Sequence, residues 1–130
     1  MYVRFVTPLV HPASRVEAGF FQASWYIYRN GCPKWITNEL EAQFRWFNRH
    51  LPVPDRLSRD FKRRASIHGI CWFDPAAVES ISRARYWAWL IEEGGLPVRV
   101  LRWAPRKEVI WRDAHQIVVK PTPGLPRAFG

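Results

Sequence analysis

The sequence predicts a single small α+β domain running β-α-α-β-α-β-β-β, with a mixed sheet and helices mainly on one face. Three observations lead there. Residues 67–103 (IHGICWF, DPAAVESISRARYWAWLIEEGG, LPVRVLRW) read as strand, helix and strand, with strong start and stop signals. Two segments of helical apolar periodicity precede this unit. A stretch with strand character, KEVIWRDAHQIVVK, follows it and reads as a hairpin.

In chain order, residues 2–6 alternate as a first strand, closed by Thr7-Pro8. Ser14 and Glu17 form a capping box that opens a helix ending near Asn30-Gly31. Its first apolar face is Val16, Phe20, Ala23 and Ile27; its second is Phe21, Trp25 and Tyr28. A helix apolar on two sides packs between layers, or, as the alternative, makes a homodimer contact through its aromatic face. Cys32-Pro33 breaks the chain, and a second helix is expected after Thr37. Glu39 and Glu41 then lie in its first turn and Arg49 and His50 in its last, as the helix dipole favours. Leu40, Phe44, Phe47 and Leu51 form its core stripe, with Ala42, Arg45, Trp46 and Arg49 on the far side.

Residues 52–64 read as a long loop in which Ser58 could cap a helical turn. In the central unit Asp74 is the N-cap, Pro75 suits the first helical position, Gly94-Gly95 ends the helix, and Pro97 keeps it from resuming. Ala77, Ile81, Ala84, Ala88 and Ile91 share one face, with Trp87 at its margin. Tyr86 and Trp89 are neighbours on the opposite face, where cover by another helix is expected over an exposed binding surface. Strands 67–73 and 98–103 pair in parallel if they are direct neighbours. In the hairpin, Val109 and Trp111 face one way and Ile110 and Arg112 the other. Asp113-Ala114 is a poorer turn than Asp-Gly, so a longer loop or bulge is expected. The domain is read as 1–120. The tail, 121–130, is rich in Pro and Gly and runs over the surface or stays mobile.

Composition narrows the function classes. Of 130 residues 48% are hydrophobic, with eight Trp and eight Phe, which excludes a disordered chain. No apolar run approaches a membrane span, and residues 1–15 read as a strand rather than a signal peptide. Two cysteines are too few for a disulfide scaffold, so a reduced cytoplasmic protein is expected.

The net charge of +9 is unevenly placed. Residues 45–64 hold Arg45, Arg49, Arg56, Arg59, Lys62, Arg63 and Arg64 against Asp55 and Asp60. Residues 99–112 hold Arg99, Arg102, Arg106, Lys107 and Arg112 against Glu108. Elsewhere the charges cancel. Folded onto one face, the two segments would make a basic patch for phosphate or for an acidic protein. Trp46 between two arginines, and Phe61 among Arg59, Lys62, Arg63 and Arg64, interleave rings with cations as binders of single strands do. Packing of Trp46 beneath the Pro-Val-Pro loop is the competing reading.

Candidate chemistry is thin. His68 and Cys71 are three apart in a strand and point to opposite faces, and no two cysteines have zinc-like spacing, so neither metal nor cofactor is expected. Cys71 reads as a small buried residue rather than a nucleophile. Glu108 as base, His115 as acid and Arg112 on the phosphate would suit RNA cleavage. In its second half the chain resembles small bacterial ribonucleases and toxins in shape, without a shared motif. The expected function is non-catalytic binding of RNA or single-stranded DNA by Arg45, Trp46, Arg49, Arg59, Lys62, Arg63 and Arg64, extended by Arg99, Arg102, Arg106 and Lys107. Docking of an acidic protein partner through the same patch is the alternative, and the ribonuclease the third.

Overall fold

The computed structural model describes residues 1–10, 15–51, 57–58, 67–104, 109–122 and 124–129. The order is β1 (Tyr2–Val6), α1 (Phe20–Asn30), α2 (Lys34–His50), β2 (Leu57–Ser58), β3 (Ile67–His68), β4 (Ile70–Phe73), α3 (Val78–Glu93), β5 (Arg99–Trp103), β6 (Val109–Arg112) and β7 (Gln116–Val119). The fold is α+β, with the main sheet ordered β5-β1-β4-β7-β6.

Burial explains that order. In β1 residues 3–6 are all buried, and in β7 every residue is; both are interior strands that must be covered on two sides. β5 and β6 are the edges and stay partly open. The expected mixed sheet is corrected here. β1 inserts between β4 and β5, so those two never pair, and every neighbour pairing in the main sheet is antiparallel.

The expected strand 67–73 divides at Gly69. β3 pairs in parallel with β2 as a separate ribbon, while β4 enters the main sheet. A Cβ on Gly69 would sit 2.1 Å from Val118 Cγ1, so only glycine allows the backbone to come this close to β7. Ser58, expected to cap a helical turn, lies in β2; residues 52–56 and 59–66 of the expected loop lie outside the described residues.

Three helix starts move. Residues 15–18, expected in the first helix, are not helical, and Glu17 and Ala18 pair with the segment after β1: Thr7 N donates to Ala18 O at 2.9 Å, Ala18 N to Leu9 O at 2.7 Å, and Val10 bridges Glu17. Tertiary pairing overrides the capping signal, whose Ser14 lies outside the described residues, and α1 begins at Phe20. It ends as expected at Gly31, with φ of 79°. α2 starts at Lys34, four residues early, because Pro33 has its φ preset and its carbonyl accepts from Ile36 N and Thr37 N. Glu39 and Glu41 thus fall beyond the first turn. α3 starts at Val78, since Asp74 caps a tight turn instead: its Oδ1 accepts from Ala76 N at 2.8 Å.

All three helices cover one face of the sheet. Phe20, Ile27, Leu40, Phe47, Trp87 and Ile91 pack with Val3, Phe5 and Phe73. Phe20 stacks on Trp87 at 4.8 Å, and Trp87 Nε1 donates to Ser24 Oγ at 3.1 Å. The second face gathers Ile70, Trp72, Ile117 and Val119 under Val16 and Leu125. Within the tail, residues 124–129 are held against the domain: Leu125 is buried, and Arg127 Nη2 donates to Arg15 O at 2.9 Å.

The hairpin alternation breaks at a bulge between Val109 and Trp111. Val109 pairs with Val119 and Arg112 with Ile117, so these two share the second face while Trp111, paired with Val118, takes the other. The turn is built on Asp113. Its carboxylate accepts from His115 N, Gln116 N, Gln116 Nε2 and Trp111 Nε1 at 2.8–3.1 Å. Burial pushes that carboxyl up, but these four bonds outweigh it and hold the group below its ordinary value.

Candidate functional site

The first feature that the core does not account for lies on the solvent edge of the α2–α3 seam. The two helices run antiparallel, as three contacts show: Trp35 with Trp89, Glu39 with Tyr86, and Trp46 with Arg83. Trp35 is 48% exposed, Trp89 46% and Tyr86 37%, yet the three rings touch. Trp35 and Trp89 centroids lie 6.0 Å apart, and Tyr86 stacks on Trp89 at 5.8 Å. The cover expected over Tyr86 and Trp89 is partial among the described residues. α2 reaches their edge only, where Tyr86 donates to Glu39 Oε1 at 2.8 Å; that bond raises the phenol's pKa.

At the other end of the seam Trp46 is half-buried. His50 stacks on it at 4.2 Å, anchored by a 2.8 Å contact between its Nδ1 and Trp46 O, and the Arg83 guanidinium lies 4.5 Å from the ring centre. Trp46 is thus packed, but by an imidazole and a guanidinium; the Pro-Val-Pro loop proposed as its cover falls outside the described residues. Arg45 and Arg49 stand exposed beside it. From Trp35 to Trp46 α2 climbs eleven residues, about 16 Å at 1.5 Å per residue. The seam therefore offers a row of flat rings ending in exposed arginines.

The remaining basic residues divide. Arg59, Lys62, Arg63, Arg64, Arg106 and Lys107 lie outside the described residues. Arg102 is exposed and pairs with Val3, which puts it on the helix side of the sheet. Arg99 pairs with Val6 on the second face and is engaged by the tail. One continuous surface from both basic segments does not include Arg99.

Of the alternative catalytic set, Glu108 lies outside the described residues. Arg112 Nη1 donates to Tyr2 OH at 3.4 Å, and His115 is exposed in the turn. Cys71 donates to Gln116 Oε1 at 2.8 Å and Cys32 meets Thr37 Oγ1 at 3.1 Å. Among the described residues no three His, Cys, Asp or Glu side chains gather as a metal site, and no helix is long and apolar enough to cross a membrane. On α1's second face Trp25 and Tyr28 are half-buried and meet edge to face at 5.6 Å.

Trp35 is the residue that sequence reasoning missed. With the helix placed after Thr37 it falls off the wheel; once Pro33 is recognised as the cap, Trp35 and Glu39 fall four apart on one edge. Compared with family models, curated proteins and solved structures, the chain matches none of them.

Proposed function

We propose that the chain binds RNA or single-stranded DNA without catalysis, through the solvent edge of the α2–α3 seam. The observation that supports this is the line of exposed rings in which Trp35 and Tyr86 each touch Trp89, with exposed Arg45 and Arg49 further along α2. Rings left in water at this cost serve contact, and every base has a flat face to lay on them. Arg45 and Arg49 supply phosphate contacts, with Arg59, Lys62, Arg63, Arg64, Arg102, Arg106 and Lys107 as extensions. A cytoplasmic setting accords with two free cysteines.

The test is titration of a labelled single strand over a range of salt. Binding weakens with a log-log slope of about −0.7 per phosphate contacted. The Arg45→Ala, Arg49→Ala double variant binds all sequences more weakly and flattens the slope by about 1.4 if each arginine holds one phosphate. Failure to bind any strand at low salt, with an acidic protein copurifying, would transfer the surface to the docking alternative.

A further inference from the structure

Residues 124–129 form a strap against the second face of the sheet, held by Glu17 and Arg99. Glu17, 4% exposed, takes two neighbouring backbone amides, from Ala128 on Oε1 at 2.6 Å and from Phe129 on Oε2 at 2.5 Å. Arg99 lays its guanidinium 4.8 Å from the centre of the Phe129 ring and donates to Ala128 O at 3.2 Å. Arg4, buried behind them, donates to the main-chain oxygen of Glu17 and sets a positive charge near its carboxylate.

A carboxylate taking two adjacent N–H donors, next to an arginine plane taking a flat ring, matches one base. Guanine carries N1–H and N2–H side by side on one edge of its ring. Adenine and cytosine set a donor beside an acceptor there, and uracil sets one N–H between two carbonyls. We propose that Glu17 and Arg99 form a guanine site on the second face, which the chain's own strap occupies in competition with the base. This rests on the nucleic-acid reading above and adds base preference and self-inhibition to it. Leu125 stays seated in the apolar cluster while residues 126–129 lift, so exchange leaves the core closed. A strap closed nine times in ten raises the apparent Kd about tenfold.

The experiment uses the full chain, its Phe129→Ala variant and the Phe129→Ala, Glu17→Gln double variant. Each is titrated with three strands of equal length: one containing guanines, one with inosine in their place, and one of adenine only. Phe129→Ala binds the guanine strand about tenfold tighter than the parent does. Inosine, lacking the N2 donors, loses most of that gain, and Glu17→Gln removes it. Phe129→Leu keeps the apolar bulk without the flat ring and replaces the alanine variant if that melts early. If parent and Phe129→Ala bind the guanine strand alike while Arg45→Ala, Arg49→Ala still weakens binding, the guanine site fails and the seam stands. Equal gains for guanine and inosine also overturn it. Binding of no strand by either protein removes both readings.

Discussion

Trp35→Ala should separate binding from folding. The ring is about half in water, and its ring contact is with Trp89 at 6.0 Å, an aromatic pair worth about 0.5–1.5 kcal/mol. Alanine in a helix returns a few tenths of a kcal/mol. The net cost to stability is therefore about 1 kcal/mol, against about 3–5 kcal/mol for Trp87→Ala, whose ring is 1% exposed and packed on Phe20, Phe44 and Phe47. If Trp35 stacks on a base, its loss removes about 1–3 kcal/mol of binding, roughly 5-fold to 150-fold in Kd. Urea unfolding followed by Trp fluorescence reads the first quantity, and anisotropy of a labelled single strand the second. Trp89→Ala should behave alike but cost more stability, because it also loses the stack with Tyr86. Unchanged affinity in both variants, with the fold intact, would refute the seam as a stacking surface.

Two further outcomes follow from packing and from charge. Gly69→Ala should cost about 1–3 kcal/mol, because its Cβ meets Val118 Cγ1, which is fully buried and stiff at χ1; adding Val118→Ala should recover part of that, and strictly additive losses in urea melts would contradict it. The folded state holds the Asp113 carboxyl below its unfolded value, so its contribution is complete above about pH 4 and is lost as pH falls through the folded pKa. Asp113→Asn turns an NH2 toward Trp111 Nε1 and Gln116 Nε2, should cost about 2 kcal/mol at neutral pH, and should flatten the acid limb of stability. Parallel stability curves for parent and variant between pH 3 and 7 would count against it.

Much of the fold is legible because local signals agree with tertiary demand. The stripe Leu40, Phe44, Phe47, Leu51 and the α3 face of Ala84, Ala88 and Ile91 fall inward as their spacing requires. Gly31 ends α1 where its positive φ is needed. The misses occur where a distant partner outbids a local signal. Glu17 looks like a capping residue, but its carboxylate is taken by amides more than a hundred positions away. Within residues 67–73 Gly69 is the one local sign of a break; that it lies against Val118 on β7 is not legible in the sequence. Insertion of β1 between β4 and β5 is equally non-local, and it removes the condition under which those two strands would pair in parallel.

The same contrast decides how much of the site is legible. Helices preserve charge clusters, because Arg45 and Arg49 are four apart and share an edge whatever the helix packs on. Strands divide them: Arg99 and Arg102 are three apart on β5, so the pleat sends one to the strap and the other to the helix side. A basic run read in one dimension thus predicts a surface only where it is helical. Exposure follows a different rule. Tyr86 and Trp89 lie on the helix face opposite Ala84 and Ala88, and nothing local says whether that face is covered. It is settled by where α2 docks, with Trp35 and Glu39 meeting only its edge. The exposure of these rings among the described residues is thus a product of packing geometry, and it marks the seam as the place to look for a partner.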